Sequence, residues 1–373
     1  MFDRFRRVSR RGSVAAALVT CALVLTACGN QDEHHRQSAL RPKGPDARKI
    51  LDLTRPFFWI AVAVGAGVIL ATITAALKFR EKPGEPRNPK QVHGNAPLEI
   101  TWTIVPALIL LVMGVFTVST IFDLSKKPTG ANVVHVNVTG KQWWWEYQYT
   151  DKDTNFITAN EMHIPVDTPV FLTMTGDDVI HSFWVPELAG KKDTVPGRTS
   201  YLTLEGDTVG EYRGQCAEFC GLSHARMGLK VFVDTRQNYD NWVASQRAKA
   251  SSALNEFVND PSGPIQQFGC QSCHTLLDTD KAVRGPNLTH LGDRTSFAGD
   301  TYDLTLDNLT KWVHNAPSMK PMEQGPDPKL PRKGMPNFSD PAWGMTLDQA
   351  RDIAKNLLCA TATDPGRHPE WGC

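Results

Sequence analysis

The 373-residue sequence has no surplus of charge of either sign: 40 Lys and Arg stand against 39 Asp and Glu, for a formal net charge of +1. That balance excludes a basic nucleic-acid-binding chain and an acidic, solvated one. Nor is the chain poor in apolar residues; at 41% hydrophobic it is not disordered, and its length is too great for one ordinary compact domain. What is present is sharply segregated. Apolar residues concentrate in three early runs, and after about Ser125 the sequence reads as polar, aromatic-containing globular chain.

The first run follows Arg4, Arg6, Arg7, Arg10 and Arg11, extends from Gly12 to Ala27, and ends Leu25-Thr26-Ala27-Cys28. A basic stretch, a short apolar stretch and small residues before a cleavage point make residues 1–27 a secretory signal, too short to span a bilayer. The Leu-x-Ala-Cys ending resembles a bacterial lipobox, which makes Cys28 the lipid-bearing N-terminus of the mature chain; a chance buried cysteine is the plainer alternative. Two longer runs, Phe57–Phe79 and Leu98–Phe122, approach the ~20 apolar residues that cross a hydrocarbon core at about 1.5 Å per residue. Neither has an amphipathic stripe, so residues 45–125 are expected to form a two-helix transmembrane hairpin. Basic residues do not orient it: Arg80, Lys82, Arg87 and Lys90 in the connecting loop are balanced by those between Gly29 and Pro56. An exported N-terminus followed by two crossings places everything after about Ser125 on the outer face of a bacterial cell membrane.

From Cys216 to Met227 the sequence reads Cys-Ala-Glu-Phe-Cys-Gly-Leu-Ser-His-Ala-Arg-Met, which packs two thiols, an imidazole and a thioether together. Soft sulfur with imidazole suits copper. Zinc accepts Cys and His too, but it has no use for the methionine and the Cys-x-x-Cys knuckle is missing. A Cys216–Cys220 disulfide is the structural alternative. The wider spacing fits two thiolates that each bridge two metal ions, and His181, in Asp-Val-Ile-His-Ser-Phe-Trp-Val-Pro, is the best candidate for a second histidine. Runs of β-branched and aromatic residues at Val133–Val138, Trp143–Tyr149, Val170–Thr175, Tyr201–Leu204 and Leu229–Val233, separated by Gly, Pro and Asp turns, predict a β-sandwich over residues 131–234. Trp143, Trp144 and Trp145 are consecutive, so strand alternation divides them between two faces and turns some of them outward.

Polar helix-forming sequence over residues 235–262 reads as a linker. A new domain over 263–373 carries Cys270-Gln-Ser-Cys273-His274, the c-type haem attachment pattern, with thioredoxin-like chemistry as the alternative. Met319, Met322, Met335 and Met345 compete for the distal position. Cys359 and Cys373 are left over; in an oxidising compartment they can pair, two free thiols being the alternative.

The pattern His181, then Cys216-x-Glu218-x-Cys220-x-x-x-His224-x-x-Met227, resembles the dinuclear copper A centre of cytochrome c oxidase subunit II. The resemblance implies a cupredoxin-like fold with Cys216 and Cys220 bridging, His181 and His224 terminal, Met227 axial and the Glu218 carbonyl completing the set. It also implies that the Glu218 side chain reaches a magnesium ion shared with subunit I, and that Trp143 is the point of electron entry. Glu99, in Leu98-Glu99-Ile-Thr-Trp102-Thr-Ile-Val-Pro106, matches a glutamate at the mouth of a proton channel in that family, although its own sequence context supports only an interfacial anchor. Met335, in Gly-Met-Pro-Asn-Phe ahead of the helical pattern Leu347–Leu358, resembles the methionine loop and closing helix of class I cytochromes c, which favours it over Met322. Gly285-Pro286-Asn287-Leu288 resembles the segment beside the proximal histidine in those proteins.

The implied fold class is therefore multi-domain: a two-helix transmembrane hairpin, an all-β cupredoxin-like sandwich and an all-α class I cytochrome c domain. The implied function is that of subunit II of a haem-copper terminal oxidase. Electrons from cytochrome c or a quinol–cytochrome c reductase complex would pass through haem c to copper A and on to subunit I, with subunit III as a further partner. Oxygen reduction coupled to proton translocation would then occur in subunit I, because the apolar runs here hold no histidine array. Membrane lipid is an expected partner and nucleic acid is not.

Overall fold

The computed structural model describes residues 37–373 apart from 81–83, 85–90, 92, 131, 153, 280–283, 324, 327–332 and 365–368. The expected signal segment, residues 1–27, and the expected lipid-bearing Cys28 lie outside the described residues. Two helices come first, α1 (Pro45–Lys78) and α2 (Ala96–Leu124), both long and apolar enough to cross a membrane. Pro45 opens α1, where its missing N–H costs nothing, and Asp46 sits in the first turn, where its charge suits the helix dipole. Asn95 caps α2, its side chain accepting from the Leu98 N–H at 3.2 Å. Along the apolar runs Trp59, Leu70, Leu110 and Leu111 are exposed, as lipid-facing residues are.

Helix α1 starts well before its apolar run, and the extra turns bury Ala47 and Leu51. Just ahead of them the Lys43 N–H donates to the Glu187 carbonyl at 2.7 Å, and the Asp207 N–H donates to the Lys43 carbonyl at 2.9 Å. The outer end of the helix is thereby stapled to the domain that follows.

That domain is a two-sheet sandwich. Its strands are β1 (Val134–Lys141), β2 (Trp144–Tyr149), β3 (Phe156–Ala159), β4 (Glu161–Pro165), β5 (Val170–Gly176), β6 (His181–Trp184), β7 (Lys192–Thr194), β8 (Ser200–Leu204), β9 (Gly210–Cys216) and β10 (Leu229–Asp234). One sheet runs β3-β2-β1-β5-β8 and the other β4-β10-β9-β6-β7. Strand alternation aims Val134, Val136 and Val138 of β1, with Trp145, Tyr147 and Tyr149 of β2, into a shared core with Leu172, Phe183 and Val231.

The segment expected as a linker forms two helices, α3 (Arg236–Arg247) and α4 (Ser252–Asn259), each capped by the hydroxyl of the preceding Thr235 or Ser251. Tyr239, Trp242 and Val243 share one face of α3 and pack on the sandwich core, where the Trp242 ring stacks on His163 at 4.3 Å. Leu254 and Val258 of α4 instead enter a second core.

Around that second core lie α5 (Pro264–Gln267), the short pair β11 (Ser296–Phe297) and β12 (Tyr302–Asp303), α6 (Leu306–Met319) and α7 (Leu347–Thr361). With few helices, a two-stranded ribbon and long connecting segments, this region departs from the all-α domain expected of it. Helix α6 breaks its helical backbone at Asn315, two residues before Pro317. A capping box between Thr346 and Gln349 starts α7, and Cys359 near its end is disulfide-bonded to Cys373, bringing buried Trp371 back onto the core.

The C-terminal region is docked on the sandwich by polar contacts. The Glu161 carboxylate, 3% exposed, accepts from the Thr295 and Ser296 N–H groups at 3.0 and 2.8 Å and from both hydroxyls. Lys230 Nζ donates to Thr295 Oγ1 at 2.9 Å. A buried carboxylate is tolerated when its lone pairs are filled in this way.

Candidate metal centre

Two sequence-distant pieces meet at one end of the sandwich: the start of β6, and the loop leaving β9 with the 3-10 turn His224–Arg226 that closes it. They bring together all six groups that the sequence singles out. The donor atoms of His181, Cys216 and Cys220 lie within 4.8 Å of one another. The two sulfurs are 3.9 Å apart, too far for a disulfide. Cys220 Sγ stands 3.6 Å from His224 Nδ1 and 3.4 Å from the Met227 sulfur, and Cys216 Sγ is 3.2 Å from the Glu218 carbonyl.

His181 is fully buried. Its Nε2 lies 3.0 Å from Asp178 Oδ1, while its Nδ1 is buried without a hydrogen-bond partner, a state that a coordinated cation would relieve. The electrostatics suit a cation as well. A hydrogen bond from Cys220, opposed by burial and helped by the nearby His181 ring and backbone groups at Ser182 and Glu218, holds Cys216 well below the ordinary thiol range. The same pairing, with burial, pushes Cys220 upward. One thiolate forms readily, and the second needs positive charge beside it. Burial alone would make His181 less basic, but Asp178 and Cys216 outweigh it and raise its pKa.

All three tryptophans are buried, contrary to the expectation that some face outward. Trp143 lies in the turn before β2 rather than on the strand, and its indole Nε1 donates to the Cys220 carbonyl at 3.0 Å. Gly221 permits this approach: it has φ +114°, and a Cβ there would meet the Trp143 indole at 3.2 Å. Trp144 lies under the Lys141 ammonium, 5.0 Å from its ring, and the Trp145 ring meets His181 edge-on at 5.9 Å.

Asp178, Lys320 and Lys333 are neighbours of the centre that the sequence reading missed. Asp178 stands three residues before His181 in the motif already singled out, so its signal was present; the two lysines carry none. Glu99, at the other end of the chain's membrane part, accepts the Asn95 N–H on its carboxylate at 3.0 Å and so caps α2.

In the C-terminal region, Cys270, Cys273 and His274 occupy one turn, with the Cys273 and His274 N–H groups donating to the Cys270 carbonyl. His274 Nδ1 is 2.8 Å from the Pro286 carbonyl, which leaves Nε2 free to bind a metal. Gly285 makes room for the ring, since a Cβ there would lie 2.7 Å from its Cε1. Burial, with the nearby Arg294 cation, depresses the His274 pKa against the pull of the Pro286 carbonyl, favouring the neutral, ligating form. Met335 packs against the same apolar cluster as Cys270, and its N–H donates to the Met322 sulfur at 3.1 Å. Met322 is thus engaged within the loop that carries Met335.

A hairpin of membrane-length helices joined to a β-sandwich with convergent thiol, imidazole and thioether groups defines a membrane-anchored metalloprotein of the copper-binding kind. The family model for cytochrome C oxidase subunit II, transmembrane domain, matches residues 37–120, and that for cytochrome C oxidase subunit II, periplasmic domain, matches residues 154–233. A cytochrome c oxidase subunit 2 of Alkalihalophilus pseudofirmus is 36% identical over 302 residues, covering 80% of this chain and 86% of that one. A quinol oxidase subunit 2 of Bacillus spizizenii is 34% identical, covering 64% and 74%. Among solved structures, the periplasmic domain of subunit II of cytochrome oxidase of Bradyrhizobium japonicum matches 32% of this chain and 94% of its own at 32% identity, with a TM-score of 0.30. The chain belongs to the cytochrome c oxidase subunit II family. It is accordingly a subunit of a haem-copper oxidase complex, an oxidoreductase with partners such as subunit I, and its periplasmic domain implies a copper A site.

Proposed function

We propose that this chain is the electron-entry subunit of its oxidase, taking electrons into the C-terminal region at a haem c and delivering them to subunit I through a dinuclear copper A centre. The observation that carries the copper half is the convergence of Cys216, Cys220, His224, Met227 and the Glu218 carbonyl with the unpartnered, buried Nδ1 of His181. Two bridging thiolates, two imidazoles, a thioether and a carbonyl are a donor set for two coppers.

The haem half is supported by Cys270 and Cys273 for thioether attachment, by His274 with its Nδ1 tied to Pro286, and by Met335 for the distal position. A match to 80% of the chain also reaches past the sandwich, since more than a third of the chain follows Asp234. When bound, the two groups supply one-electron carriers, and thioether ligation raises the haem potential.

The chain's own residues hold those groups in place. The sandwich fixes the thiol loop, Asp178 orients His181, and Trp143 leads from the C-terminal region to the Cys220 carbonyl as the point of electron entry. On this reading exposed Glu218 faces a magnesium ion shared with subunit I, and Glu99 serves proton uptake where α2 meets subunit I. Subunits I and III, membrane lipid and a donor, either cytochrome c or a quinol–cytochrome c reductase complex, are the partners. The sandwich and C-terminal region lie on the outer face of the bacterial membrane, with Cys28 as a lipid anchor.

Metal and haem analysis of the detergent-solubilised full chain tests this. Two coppers sharing one unpaired electron, with one covalent haem per chain, are expected; zinc, a single copper or no covalent haem overturns it.

A further inference from the structure

Two lysines of the C-terminal region reach across the boundary to the copper ligands' immediate supports. Lys320, 3% exposed, donates through Nζ to the Trp143 carbonyl at 2.7 Å and to the Ala298 carbonyl at 2.9 Å. Trp143 in turn donates to the Cys220 carbonyl at 3.0 Å, so Lys320 stands two hydrogen bonds from one bridging thiol residue. Lys333 Nζ lies 3.2 Å from Asp178 Oδ2, and the other oxygen of that carboxylate is 3.0 Å from His181 Nε2. The same face is sealed around these relays. Arg226 Nη1 donates to the Met319 carbonyl at 2.7 Å, and Ser223 Oγ donates to the Pro321 carbonyl at 2.5 Å, both from the turn that carries His224.

We propose that the C-terminal region is a structural and electrostatic part of the copper site, with Lys320 acting on Cys220 through Trp143 and Lys333 acting on His181 through Asp178. Both are positioning residues, because neither touches a ligand atom. This inference rests on the copper reading above and adds a role for the C-terminal region that does not depend on what that region carries.

Its consequences have a definite sign. A protonated lysine near the centre disfavours the oxidised, more positive state, so removing either charge lowers the copper potential; burial pulls Lys320 down to about 7, against the pull of Cys220, so its charge is fully present only below that pH. In addition, Asp178 without Lys333 becomes a stronger acceptor for His181 and makes its ring a better donor. Lys320 is buried and Lys333 has a side chain 39% exposed, so solvent screens the second effect more than the first.

The test uses the full chain loaded with copper and titrated against a redox mediator of known potential. At pH 6, Lys320→Met is expected to keep its copper content but to shift electron partition between the copper and a redox mediator toward the mediator by roughly tenfold, equivalent to about 59 mV for one electron. It should also alter the copper electron-spin spectrum. Lys333→Met should move both readouts in the same direction by less, and Lys320→Arg should restore most of the change. Cys359→Ser, which loosens the C-terminal region at its disulfide and touches neither relay, should leave the copper spectrum in place.

Unchanged partition and spectrum in Lys320→Met and Lys333→Met overturn the proposal. A Cys359→Ser spectrum shifted as much as that of Lys320→Met also overturns it, since the effect would then be general loosening. If Lys320→Met does not fold, Lys333→Met still decides by the same readouts. Wild-type chain that takes up no paired copper would instead sink the copper reading itself.

Discussion

At the scale of single residues, the centre depends on groups whose charge states are set by one another. Cys220→Ser should remove the copper pair and with it the stabilisation that binding confers on the folded state, about 2.7 kcal/mol when free metal is a hundredfold above its dissociation constant. Thermal unfolding with and without a copper chelator checks this: the melting temperature should fall in the wild type and stay put in the variant. A second residue-scale effect concerns His290, which is 8% exposed and has its Nε2 3.0 Å from the Ala248 carbonyl. Burial holds its pKa below the ordinary 6.5, against the opposing pull of Asp293 and Ala248. Below about pH 6.5 the unfolded chain therefore takes up the proton first, and stability declines as pH falls through that range. His290→Gln should flatten this part of a plot of unfolding free energy against pH.

At the scale of elements, α3 holds the start of the C-terminal region against the sandwich. Its Trp242 ring meets Tyr149 and Phe156 at 5.3 Å each and stacks on His163. Trp242→Ala should cost about 2–4 kcal/mol, toward the lower part of the range for such truncations because the ring is only partly buried, and a urea midpoint would report it. The disulfide between Cys359 and Cys373 spans 14 positions, and Cys359→Ser should cost about 3 kcal/mol. Addition of reductant to the wild type should reproduce that loss.

How much of these elements was legible depended on how much of each element's environment was its own. β1, β5 and β10 bury one or both faces and carry β-branched runs, so their sequences announce them. β7 is three residues long with Lys192 and Asp193 exposed, and β9 includes Gly210 and Gly214; both are strands because their neighbours pair with them. Helix α3 reads as linker because only Tyr239, Trp242 and Val243 are apolar enough to dock. The copper ligands were legible because soft donors at fixed spacing are rare, whereas Lys320 and Lys333 are ordinary residues given a role by tertiary contact alone.

At the scale of the whole molecule, the sandwich and the C-terminal region behave as a docked pair whose seam centres on Glu161. Glu161→Ala leaves two N–H groups and two hydroxyls of Thr295 and Ser296 without their acceptor, and each buried donor so orphaned costs about 1–3 kcal/mol. The expected outcome is partial separation, detected as faster protease cleavage in the connection between α3 and α4; unchanged cleavage would show that other contacts hold the seam.

The continuous run of α1 out of its apolar stretch and onto the sandwich sets both an altitude and an azimuth. Its 34 residues extend for about 51 Å at 1.5 Å each, against roughly 30 Å of hydrocarbon. The surplus is helix held at its tip by the Lys43 and Ala47 backbone contacts. A single residue inserted near Arg55 would lift the sandwich by about 1.5 Å and swing it through about 100° around the helix axis. The metal centre would then point at a different stretch of the membrane partner, with every ligand still in place.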